Sequence, residues 1–186
     1  MKQTIFLAIT FVLLVFPCSA QEQNQIMSDS AKELAQKIKT GDYESIREMG
    51  NSGDDTIIPY LKTLTSKESK WIVNDNAQMA LAKLGEKEYL NQILAEVDAE
   101  SPDVQDKAMK KLSYIGGKTA FKKFYELLDD TTTRQSESPC IIFFTRSTTA
   151  MFFLSRMVVN PPTTKVGAEY IKTWREWFEQ NKHLIN

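Results

Sequence analysis

The chain has 186 residues, of which 42% are hydrophobic and 25% charged, and its formal net charge is −1. A chain this apolar is not intrinsically disordered, 7 Gly and 6 Pro are too few for a fibrous protein, and two cysteines are too few for a disulfide-based miniprotein. The near-neutral charge argues against nonspecific nucleic-acid binding, which needs a basic surface. The length suits one domain with a sizeable core.

Residues 1–20 have the pattern of a secretory signal peptide. Lys2 precedes an uncharged apolar run over residues 5–16, and small residues occupy the −3 and −1 positions of a cut after Ala20. The run is shorter than the roughly 20 residues of a membrane-spanning helix, and no second such run follows. We therefore expect an exported chain, periplasmic or secreted, with no transmembrane segment after cleavage. The alternative is a lipid anchor on Cys18, which the preceding Phe16-Pro17 fits poorly.

Cleavage would leave residues 21–186 with a formal net charge of −2 and a single cysteine, Cys140. No internal disulfide can then form. Cys140 precedes the apolar run Ile141–Phe144, which favours a buried, unreactive thiol over a reactive or intermolecularly bonded one.

Three helices are predicted at the start of the mature chain. The first opens at a capping box, Ser30 to Glu33, and ends near residues 40–42. The second is short, begins near Tyr43 and stops at Gly50. The third has an apolar stripe over residues 57–64, after an N-cap at Asp54-Asp55.

An internal repeat follows. A shift by 31 positions places Val73–Gly85 on Val104–Gly116, and the apolar stripe of residues 90–97 on that of residues 121–128. Both stripes have i, i+3/i+4, i+7 spacing, which is typical of a helix with one buried face. Gly85 and Gly116 stand where a helix C-terminus needs positive φ.

The repeat continues downstream at Ala150, Leu154 and Met157, at an offset larger than that between the first two units. The additional length falls in a polar insert over residues 129–140. Such a loop inside a compact stack either carries function or is a tolerated insertion. Ile141–Phe144 has strand propensity, but its place in the repeat favours the start of a long helix. A last helix is predicted over residues 168–181.

These patterns predict an all-α fold, a short right-handed solenoid of antiparallel helix pairs. The frame Val-x-x-x-Ala-x-x-x-Leu-x-x-Leu/Ile-Gly resembles that of HEAT repeats, especially the short bacterial HEAT-like type. The resemblance covers residues 43–128 and, more loosely, 141–181, and Trp174–Phe178 is similar to the final helix of some exported bacterial members. It implies one HEAT-like domain over residues 21–186. The family often has Arg directly after the Val, where this chain has Asn74 and Gln105.

The sequence offers little catalytic chemistry. His183, the only histidine, stands close to residue 186, and Cys and His are too few for a zinc site. Residues 116–119 resemble the end of a phosphate-binding loop but follow a helix and lack its first glycine. The acidic stretch 98–103 lacks the ligand pattern of a calcium loop and reads as a turn between helices. We predict no catalytic residue, metal or cofactor; a carboxylate pair among the 24 acidic residues is the enzymatic alternative.

The expected function follows from the solenoid resemblance alone. Such folds present a concave surface made by the second helix of each pair. We therefore expect an exported, non-catalytic module that binds a protein or peptide rather than nucleic acid and that can act as a monomer. An inhibitor or immunity-type protein that acts through the insert is the alternative. Residues 21–140 carry −5 and residues 141–186 carry +3. The basic C-terminal end is either a solvated helix face, which is the favoured interpretation, or a surface for an acidic partner or an anionic membrane. The predicted contacts are exposed residues on the second helices: Asn74, Gln78, Lys110, Lys111, Arg146 and Arg156.

Overall fold

The computed structural model describes residues 27–66, 69–134 and 144–184. The predicted signal peptide, Cys140 and the second half of the insert (residues 135–140) lie outside these residues, so the expectations for them stay predictions. None of the described helices is long and apolar enough to cross a membrane. The nine α-helices of the described residues are α1 (Asp29–Lys39), α2 (Glu44–Ser52), α3 (Ile58–Leu64), α4 (Trp71–Lys83), α5 (Lys87–Val97), α6 (Pro102–Ile115), α7 (Gly117–Leu127), α8 (Arg146–Met157) and α9 (Ile171–Gln180).

The helices pack in a regular order that confirms the all-α class. The even-numbered helices form a row in which α2 contacts α4, α4 contacts α6 and α6 contacts α8. Helices α1, α3, α5 and α7 each pack against the even-numbered helix that follows them, and α9 packs against α8. Stacked helix pairs require this order of contacts. The right-handed solenoid and the HEAT resemblance stay predictions.

The internal repeat appears in the helices themselves, because α4 and α6 begin 31 positions apart, at Trp71 and Pro102. Gly85 and Gly116 follow these helices with φ angles of 93° and 69°. Since positive φ is costly for residues with a Cβ, the two glycines end their helices as predicted.

The core is built from two clusters that share Tyr89. The first cluster runs from α1 to α4. The second runs from Ala82 of α4 to α9, around the fully buried Phe124, Trp174 and Phe178. Complete burial of one such large apolar side chain contributes about 1.5–3 kcal/mol. The apolar faces predicted for the repeat helices and the last helix therefore supply the core.

Two predicted boundaries near the N-terminus are wrong. Helix α1 begins at Asp29, just after Ser28, because the Oγ of Ser28 rather than Ser30 accepts a hydrogen bond from the Ala31 N–H at 3.3 Å. Helix α2 continues through Gly50 and ends before Gly53, which has φ of 68°. Gly50 is a helical residue, and its lack of a Cβ leaves room for Ala80 of α4.

The predicted helix start at Ile141–Phe144 is also wrong for Phe144, its one described residue. Phe144 and Thr145 form a short antiparallel ladder with Thr133–Arg134. Helix α8 starts only at Arg146, because the side chains of Thr145 and Thr148 cap each other's backbone N–H groups. This reciprocal capping fixes the N-terminus of α8.

Candidate functional site

A groove of about 630 Å³ crosses the row of even-numbered helices. Residues of α2, α4, α6 and α8 line it, so four elements that are distant in sequence meet there. We call it the basic groove because its lining holds five cations and two carboxylates, on a chain whose formal net charge is −1. These charged residues are Arg47, Lys107, Lys110, Lys111, Arg156, Glu44 and Asp75.

Both carboxylates of the groove already have cationic partners. Glu44 lies 3.0 Å from Arg47, and Asp75 lies 2.6 Å from Lys111. The remaining cations, Lys107, Lys110 and Arg156, are exposed and form no ion pair with any of the residues the structure describes. The groove therefore presents three uncompensated positive charges.

Lys111 differs from its predicted role as an exposed contact. It is 9% exposed, and its Nζ lies 2.6 Å from Asp75 and 3.3 Å from Glu96. Burial lowers the pKa of Lys111, but the two carboxylates outweigh burial and the net shift is upward. Lys111 is thus a buried cation whose ion pairs join α6 to α4 and to α5.

Aromatic residues border the groove. Trp71, the first residue of α4, is 77% exposed, far more than is usual for tryptophan. The Arg156 guanidinium lies 4.0 Å from the centroid of the Phe152 ring. Tyr114 lies between Arg47 and Lys83, donates a hydrogen bond to the Arg47 carbonyl, and burial raises its pKa to about 12.

Trp71 is not among the contacts predicted from the sequence, although its position in the helix carries a signal. Trp71 precedes Val73 by two positions, which puts it roughly 200° around the helix from the buried stripe at about 100° per residue. A large aromatic side chain on the polar face of an amphipathic helix is typical of contact surfaces. Arg47 and Lys107 carried no comparable signal, because charged residues are common on any solvated face.

Asn74 and Gln78 lie beside the basic groove, in a depression that shares Trp71 and Asp75 with it. The Asn74 amide donates to the carbonyls of Thr65 and Ser66 at 3.1 and 3.3 Å, and its oxygen accepts from Gln78 at 2.7 Å. Asn74 therefore fastens α4 to the connection before it. Their roles in binding stay predictions.

Gln105 occupies the position that corresponds to Asn74 in the next unit of the repeat, and it has the same kind of bond. Its amide donates to the Ala99 carbonyl in the connection before α6. At the two positions where the HEAT-like pattern often has Arg, amide side chains thus tie each helix to its own preceding connection.

Arg146 lies outside the basic groove. Its guanidinium donates to the Val97 carbonyl at 2.6 Å, to Asp98 at 2.7 Å and to Asp130 at 3.0 Å. Its side chain is 16% exposed. Arg146 therefore joins the start of α8 to the ends of α5 and α7, and has no exposed surface comparable to that of Lys110 or Arg156.

The carboxylates around Arg146 predict a loss of stability in acid. Burial raises the pKa of Asp98, but hydrogen bonds from Lys123 and Arg146 outweigh burial and the net pKa is lowered. Burial also raises the pKa of Asp130, and hydrogen bonds from Thr132 and Arg146 again lower it overall. Their stabilisation is present above about pH 4, the unfolded value, and is lost as pH falls through the lower folded values. Urea unfolding of the Asp98→Asn, Asp130→Asn variant and wild type should therefore differ above about pH 4 and converge below it. A difference independent of pH would contradict this linkage.

No family model, curated protein or solved structure matches the chain. Among the described residues, no group of three or more His, Cys, Asp or Glu side chains is placed to hold a metal ion. His183 is exposed in a short C-terminal 3-10 turn, and it does not line the groove. The basic groove is thus the feature with the most distinctive chemistry.

Proposed function

We propose that this protein is an exported, non-catalytic binding module that holds a segment of another protein in the basic groove. The observation that carries the proposal is the concentration of three exposed, uncompensated cations in one groove across four helices. Cations that lack carboxylate partners within a protein are available to pair with a ligand. The HEAT resemblance supports the same location, since the even-numbered helices are the second helices of the predicted pairs.

The dimensions of the groove favour an extended segment over a small molecule. Four helices packed side by side at ~8–10 Å spacings present a surface roughly 24–30 Å long. An extended chain of about eight residues covers that length at ~3.4 Å per residue. Trp71 at the rim supplies the kind of exposed aromatic side chain that is enriched at binding interfaces.

Filling the groove with a bulky side chain should weaken binding. Ser113 lines the groove, and its hydroxyl donates to the Lys110 carbonyl at 2.7 Å. Peptides would be selected on the wild-type protein from a random dodecapeptide library, and their affinities measured by fluorescence anisotropy. We expect Ser113→Trp to weaken binding of the selected peptides by at least about tenfold, since indole occupies the space of the ligand.

Ser155 provides a matched control on α8. Its hydroxyl donates to the Phe152 carbonyl at 2.8 Å, and it does not line the groove. The Ser155→Trp variant should bind the selected peptides like wild type. Equal affinities for the two tryptophan variants, with both folded by circular dichroism, would show that the groove is not the binding site.

A further inference from the structure

We infer that the segment held in the basic groove is acidic and carries one apolar side chain, which enters a second pocket at the α8 end of the groove. This inference rests on the proposed function and specifies the chemistry of the ligand. It follows from the charge of the groove, the apolar lining of the neighbouring pocket and the contact that joins them.

The positive charge of the groove determines the charge of a complementary ligand. Lys107, Lys110 and Arg156 face the same groove without carboxylate partners among the described residues. Close cations repel one another, and a ligand that carries carboxylates removes this repulsion while forming charge-assisted hydrogen bonds. The complementary segment therefore contains several Asp or Glu residues.

The second pocket is apolar and has a volume of about 320 Å³. It lies beside the groove, shares Phe153 with it, and is lined by Thr148, Thr149, Phe152, Val166 and Asp106. Phe152 and Val166 are 40% and 39% exposed, so apolar surface is left open to solvent there. Covering such surface with an apolar side chain is favourable, and the volume suits a single anchor residue.

The basic groove and the apolar pocket meet where Arg156 contacts Phe152. Arg156 lines the groove and lies 4.0 Å over the ring of Phe152, which forms the wall of the apolar pocket. A carboxylate that pairs with Arg156 is therefore next to the anchor residue in the ligand. The apolar lining of the pocket disfavours a carboxylate inside it, because burying an unpaired charge is costly, so the acidic residues belong in the groove and the apolar residue in the pocket.

The same observations favour an acidic peptide over a nucleic acid. A nucleic acid has the negative charge but no aliphatic side chain for the apolar pocket, and it meets a chain whose formal net charge is −1. A long polyanion is repelled by such a surface outside the groove. A short acidic segment avoids that repulsion.

The selected dodecapeptides test the charge requirement. We expect them to be enriched in Asp and Glu around one Leu, Ile, Met or aromatic residue. Their affinity should fall at least tenfold for Lys107→Glu, Lys110→Glu, Arg156→Glu, and by less for the same positions changed to Gln. The control Lys39→Glu, Lys87→Glu, Lys122→Glu reverses three exposed lysines outside the groove, and it should change affinity less than twofold.

A second pair of variants tests the anchor. Val166→Glu places a charge in the apolar pocket and should weaken binding at least tenfold, whereas Val159→Glu alters a 93% exposed valine outside it and should have no effect. Equal binding by the two variants overturns the anchor. Selected peptides that are neutral, and that bind the groove variants of Lys107, Lys110 and Arg156 like wild type, overturn the acidic assignment.

The outcomes separate this inference from the proposed function. Neutral peptides that are lost with Ser113→Trp would leave the groove as a binding site and overturn only the ligand chemistry. Peptides indifferent to Ser113→Trp would overturn both. Tighter binding of a thymidine dodecanucleotide than of every selected peptide would also overturn the acidic-peptide assignment.

Discussion

Replacing Gly50 with alanine should destabilise the protein by about 1–3 kcal/mol, although alanine is the better helix former. A Cβ added at Gly50 would lie 2.8 Å from the Ala80 Cα and 2.6 Å from the Tyr114 hydroxyl oxygen. The first contact is with backbone, and the Tyr114 hydroxyl is held by its bond to the Arg47 carbonyl. Neither neighbour can retreat without moving α4 or α6 relative to α2.

Urea denaturation would measure this effect, with Asn51→Ala as the control. Asn51 is the next residue of the same helix and is exposed, so its replacement gains helix propensity without a clash. We expect opposite signs, with Asn51→Ala neutral or stabilising and Gly50→Ala destabilising. A gain of stability in both variants would mean that α2 and α4 are not in backbone contact at Gly50.

Replacing Arg146 with methionine should lower the free energy of unfolding by about 2–4 kcal/mol. The change retains most of the side-chain volume but removes the bonds to the Val97 carbonyl, Asp98 and Asp130. The carbonyl and the carboxylates then lose a charged donor at a site where α5, α7 and α8 meet. Breaking a partly buried charged contact costs more than the contact contributes in isolation.

Arg156→Met, measured by the same urea denaturation, is the matched control, because Arg156 is on the same helix and is exposed. Its removal should cost less than about 1 kcal/mol, since an exposed cation–π contact contributes little. The sequence predicts both arginines as binding contacts. The two variants distinguish a residue that stabilises the fold from a residue that is available to a ligand. Similar losses in both variants would contradict that separation.

The helices were predictable because apolar spacing determines which face is buried. Ala77, Leu81, Ala108 and Leu112 are all fully buried, as their correspondence in the repeat requires. Helix starts were harder, because Ser28 and Ser30 are equally good capping residues by type. The chosen cap depends on Ser28 also donating to Asp54 at 2.6 Å, a contact between segments that are distant in sequence.

The groove could be predicted only in part. Lys110 and Lys111 are adjacent and chemically identical, yet the turn of about 100° between them exposes one and buries the other. The net charges of residues 21–140 and 141–186 also give no sign of the groove. Arg47, Lys107 and Lys110 lie in the acidic first part, and Arg156 lies in the basic second part. Charge clusters that form across a helix row depend on packing, and chain order does not contain that information.

The side-chain hydrogen bonds of Asn74 and Gln105 have a consequence for how such a chain can change length over evolution. Each amide bonds to the connection just before its own helix, so the fastening is contained within one unit. Duplication or deletion of a unit therefore copies or removes this amide together with the carbonyl to which it donates. An ion pair between units, such as that of Lys111 with Asp75, would instead lose one partner when a unit is deleted.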